Sequence, residues 1–110
     1  MSLDIWLTHN VCPCCGQGKE GWSDNYTSNV TPMWKEAGVY DALYFSEGKT
    51  TAEVVIAVSK GVLDMEENPE KYRAMNPPNG WGDYDSALKF LQEFLIECAE
   101  DPDAVIGVSK

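Results

Sequence analysis

Asp83-Tyr84-Asp85-Ser86-Ala87-Leu88-Lys89-Phe90-Leu91-Gln92-Glu93-Phe94-Leu95-Ile96-Glu97-Cys98-Ala99-Glu100 is the stretch that decides the fold. Tyr84, Leu88, Leu91, Leu95 and Cys98 recur at alternating spacings of four and three, so they share one face of a helix. Ala87, Phe90 and Phe94 widen that face to the width of a central core helix. Asp83 is a good N-cap and Asp101-Pro102 a stop, which predicts a helix over 83–100.

C-terminal to it, Ala104-Val105-Ile106-Gly107-Val108 is short, apolar and β-branched, and reads as a strand over 104–108. N-terminal to it, Asn76-Pro77-Pro78-Asn79-Gly80-Trp81-Gly82 cannot continue a helix and reads as a rigid loop, expected to pack against Asn25–Trp34 with Trp81 on Met33 and Trp34. Asn68-Pro69 caps a short helix ending near Met75. Thr50-Thr51-Ala52-Glu53 has the spacing of a capping box. The run Val54–Val58 also suits a strand, but the cap and the length to Asn68 favour a helix over 50–67. The two long helices are expected to pack through Val55, Val58, Val62, Leu88, Leu91 and Leu95.

Thr31 can cap a helix with Pro32 at its first position, a start at Ser28 is the alternative, and Gly38 is a stop. Val39–Phe45 adds a helical turn, unless a further strand hides in 39–46. Residues 3–8 read as a strand and 10–25, with Asn, Pro and Gly, as a turn-rich loop. The expected fold is α+β: one small domain over 1–110, mostly helical, with paired terminal strands. Its parts are a Cys-rich knuckle and loop at 12–25, a helical core at 26–100 and the strand 104–108.

The 110 residues hold 18 acidic and 8 basic side chains, a formal net charge of −10. That balance argues against a phosphate-binding face and hence against nucleic acid as a partner. No apolar run is long enough for a membrane span. Met1–Thr8 has no basic region and is broken by Asp4, so it does not read as a signal peptide. Three of the four cysteines lie within four residues, which suits no secreted disulfide framework, and a cytoplasmic setting is expected.

Cys12-Pro13-Cys14-Cys15-Gly16 fits Cys-Pro-x-Cys-Gly, where two thiolates can hold zinc from one tight turn. The motif resembles the knuckle of rubredoxins and zinc ribbons over five residues, without their second Cys-x-x-Cys. If the terminal strands run antiparallel, the end of helix 83–100 comes near the knuckle. The candidate metal ligands are therefore Cys12, Cys15, Cys98 and His9, with Cys14 an alternative. Reduced thiols without function and a redox pair stay open beside zinc. No residue is singled out as catalytic.

Asn25, Tyr26, Asn29, Trp34, Asn76, Asn79 and Trp81 form two segments rich in amides and aromatic rings, and are candidate binding residues. The competing reading is that the amides cap helices and tie loops down. Asn25-Tyr26-Thr27-x-Asn29-Val30-x-Pro32-Met33 and Asn76-Pro77-Pro78-Asn79-Gly80-Trp81-Gly82-Asp83-Tyr84, with Asn68-Pro69-Glu70-x-Tyr72, resemble segments of a group of small uncharacterised proteins of bacteria and their phages. The resemblance implies a cytoplasmic, phage-associated or mobile-element setting and carries no catalytic residue across. Glu93, Glu97 and Glu100, with Asp101 and Asp103 beyond, place negative charge where a helix dipole disfavours it. The expectation is a non-enzymatic acidic binding or accessory protein with a basic protein partner. The alternative is a small thiol- or metal-dependent enzyme using the Cys12–Cys15 cluster and His9.

Overall fold

The computed structural model describes residues 2–9, 14, 18–78, 80 and 82–110. The terminal strands pair as expected. Strand β1 (Ser2–His9) runs antiparallel to β3 (Val105–Ser109), with Asp4 opposite Ser109 and Thr8 opposite Val105. The strict alternation of β1 sets its faces: Leu3, Ile5 and Leu7 are fully buried, whereas Asp4, Trp6 and Thr8 face away from the core.

A third strand corrects the reading of 10–25 as loop. Lys19–Thr27 forms β2, antiparallel to β1, and the sheet order is β2-β1-β3. The register slips between Trp6 and Thr8. Only Trp22 and Tyr26 of β2 turn aromatic rings to the core, where they meet Phe90, Phe94 and Trp34. An edge strand needs little apolar alternation, which is why its sequence looks like a loop. The region 39–46 holds no strand; Tyr40–Tyr44 is a short helix, α2.

The buried face of the sheet is covered by helices. After β2, Thr27 caps a single 3-10 turn (Ser28–Val30), its hydroxyl accepting the Asn29 N–H at 3.3 Å. Helix α1 (Thr31–Ala37) follows with Pro32 in its first turn and Gly38 as a left-handed C-cap. Helix α3 (Thr51–Glu67) starts from the expected capping box and packs on α5 (Tyr84–Glu100), which Asp83 caps through the Ser86 N–H. Val58, Val62 and Leu91 are buried there, but Val55, Leu88 and Leu95 lie at the half-buried rim. Val54, Met65, Ala87, Phe90 and Phe94 take the central places. Between the long helices, α4 (Pro69–Arg73) begins at Pro69, but Asn68 does not cap it. The Asn68 amide turns back to Asp64 O at 2.9 Å, and the buried Tyr72 hydroxyl donates to the Asp64 carboxylate.

The loop before α5 meets the end of β2 and the turn that follows it, as expected. Gly82 has φ 96°, and a Cβ there would come within 2.7 Å of Thr27 Cγ2. The Tyr26 hydroxyl donates to Asp83 O at 3.1 Å, and Asn76 Oδ1 accepts the Tyr84 N–H at 2.8 Å. The expected place of Trp81 against Met33 and Trp34 lies outside the described residues.

The two edges of the sheet differ. Residues 48–51 close the edge of β3: Gly48 N–H donates to Ile106 O, Ile106 N–H to Lys49 O, and Thr51 N–H to Ala104 O, at 2.8–2.9 Å. Among the described residues, no strand covers the far edge of β2.

Candidate binding surface

The outward face of the sheet is a grid fixed by register. Side chains opposite one another on paired strands share a face. Three rows therefore cross the sheet: Asn25–Asp4–Ser109, Ser23–Trp6–Gly107 and Glu20–Thr8–Val105. Trp6 stands at the centre and is 37% exposed. Its neighbours in the row are the smallest available, and the indole lies across Gly107, where a Cβ would come within 2.1 Å of the ring. Carboxylates flank it one row to either side, Asp4 and Glu20. Two shallow depressions lie beside Trp6 on its β2 side: about 240 Å³ with Glu20, Gly21 and Ser23, and about 320 Å³ with Asp4, Asp24 and Asn25. An exposed indole laid over Gly107, with carboxylates in the rows to either side, suits a cationic side chain, through its ring quadrupole and through charge.

A second concavity, of about 250 Å³, lies where β2 meets α5. Asp24, Asn25 and Tyr26 form one wall, and Ser86, Lys89 and Glu93 the other, with Phe90 between them. Burial raises the Tyr26 hydroxyl above its ordinary pKa, so it stays protonated and keeps its bond to Asp83 O at neutral pH.

His9 ends β1 beside the end of α5, as antiparallel pairing requires, but its partner is Asp101. His9 Nδ1–H donates to Asp101 Oδ2 at 2.5 Å, and this bond holds the Asp101 carboxyl below its usual range. A carboxylate on Nδ1 would orient an imidazole for base work. The ring edge that carries Nε2, however, lies against Gly21, where a Cβ would come within 2.0 Å. The pair acts as a latch between β1 and α5. Cys98 is 1% exposed, and burial, with Glu97 beside it, pushes its thiol up to about 12. Among the described residues, no three metal-binding side chains gather. Cys12 and Cys15 lie outside the described residues; Cys14 is exposed.

The candidate binding residues separate. Asn25 and Tyr26 share strand β2 but point to opposite faces. Asn29 donates from its side chain to Thr27 Oγ1 at 2.9 Å, and Asn76 holds the first turn of α5, so both do the structural work of amides. Trp34 is fully buried between the rings of Tyr26 and Phe90, and its Nε1 has no partner among the described residues. Asn79 and Trp81 lie outside the described residues. Of the acidic end of α5, Glu93 and Glu97 are half-buried and Glu100 is exposed.

The candidate residue that the sequence reading did not single out is Trp6. The signal was present: a strand with Leu3, Ile5 and Leu7 inward puts Trp6 on the polar face with Asp4 and Thr8. No described helix is long and apolar enough to cross a membrane. No protein family, curated protein or solved structure gives a significant match to this chain.

Proposed function

We propose that this is a non-enzymatic binding protein whose outward sheet face takes a basic segment of a partner protein. The observation that carries this reading is the Trp6 indole, laid across Gly107 and flanked by Asp4 and Glu20 on a chain of net charge −10. A lysine or arginine on that ring gains a cation–π contact of about 0.5–1 kcal/mol at an exposed site. The carboxylates to either side add attraction that salt screens. The net charge favours approach of basic partners from solution.

Calorimetric titration with an acetylated, amidated Lys-Val-Lys-Val-Lys-Val-Lys peptide tests this, with the Glu-Val counterpart as control. The Lys peptide is expected to bind at low salt, to weaken as salt rises, and to lose about two- to fivefold in affinity on Trp6→Ala. No binding of the Lys peptide, or equal binding of the two peptides, refutes the reading.

A further inference from the structure

The asymmetry of the sheet edges points to the form that the bound segment takes. We propose that an extended basic segment of a partner protein adds to β2 as a fourth strand, in the groove between β2 and α5. This rests on the reading of the outward face as a site for basic segments, and it specifies how such a segment is held.

Residues 48 and 49 pair with the main chain of Ile106, and the Glu47 carboxylate takes the Val108 N–H, so that edge is spent. On β2 the Asn25 N–H donates to the carboxylate of its own neighbour, Asp24 Oδ1, at 2.8 Å. Main-chain groups of an antiparallel edge strand alternate between the partner strand and the open side. With Asn25 turned outward, Ser23 and Thr27 turn outward too, because their register against β1 is regular. Asp24 thus supplies the acceptor that a fourth strand's carbonyl would supply. An incoming strand displaces that carboxylate and meets it as a counter-charge.

The surroundings of the edge fit an alternating basic and apolar segment. Its inward, apolar side chains would enter the concavity with Tyr26 and Phe90, whose rim holds the carboxylates of Asp24 and Glu93 and one ammonium, Lys89. Its outward side chains would lie in the rows of Asn25, Ser23 and Glu20, beside Asp4 and Trp6. Backbone bonds give a strand-adding peptide its grip, and alternate side chains give its selectivity.

The test uses the same heptapeptide with N-methyl groups on every second main-chain nitrogen. One form is methylated on its lysine nitrogens and the other on its valine nitrogens. Only one set of nitrogens can face β2, so strand addition predicts that one form loses about tenfold or more and the other stays within about threefold of the parent. Loss on the lysine set identifies antiparallel addition, since opposite residues then share the outward face; loss on the valine set identifies parallel addition. If both forms bind like the parent, strand addition is wrong while the binding reading stands. If the unmethylated peptide does not bind, the binding reading itself fails.

Discussion

Gly107 carries more of this account than its size suggests. It is buried opposite Trp6 in the grid, and a methyl group there would strike the indole, not backbone. The half-exposed ring can swing away into solvent, so Gly107→Ala should cost less than the usual overpacking penalty of about 1–3 kcal/mol. It should nevertheless remove the flat indole. Expected, then, are a thermal midpoint within a few degrees of wild type and an affinity for the Lys-Val peptide lower by about two- to fivefold. Paired melting and titration check this. A large loss of stability, or intact binding, would mean that Gly107 serves packing alone. Trp6 was legible as a residue on the polar face of a strand. Its seat was not, because nothing local in Gly107 tells which residue of β1 it will face across the sheet.

Elements differed in the same way. Helices α3 and α5 were legible because caps and periodic apolar faces are local signals, and the Thr50–Glu53 box formed as its spacing suggested. Thr50→Ala should destabilise the fold by about 1 kcal/mol in chemical denaturation. The Glu53 carboxyl is held below its ordinary range by the Thr50 N–H, which donates at 2.7 Å, and by the Thr50 hydroxyl. A lowered folded pKa means stability present above the unfolded value and lost as pH falls through the folded one. Asp101, lowered chiefly by His9, has the same sign. Denaturation midpoints should therefore fall below about pH 4, and Glu53→Gln should flatten part of that fall. An unchanged profile would show that the box carries no linkage. Strand β2 was illegible because only Trp22 and Tyr26 of its nine residues turn rings inward, with Asp24 exposed between them. Its pairing with β1 is a long-range fact that no window of its own sequence states. The rim positions of Leu88 and Leu95 have a similar cause: the sheet lies over Phe90 and Phe94 and draws that side of α5 inward.

In the whole molecule, one core joins the sheet to the helices, and it holds without help from the proposed surface. Phe94 is fully buried and stacks on Trp22 of β2, their centroids 5.5 Å apart. Phe94→Ala should cost about 3–5 kcal/mol, whereas Trp6→Ala should cost far less, and urea unfolding of the two variants separates core from surface. The acidic balance was legible from composition, but the carboxylates that matter are the two that register places beside one indole. The most direct measurement is an NMR titration of the labelled protein with the Lys-Val heptapeptide. The account predicts that the Trp6 indole resonance and the amides of Asp4, Glu20, Ser23 and Gly107 shift together and saturate together. Shifts confined to the exposed apolar positions Ile56, Leu63 and Ile96 on the long helices, with the Trp6 indole unmoved, would contradict it.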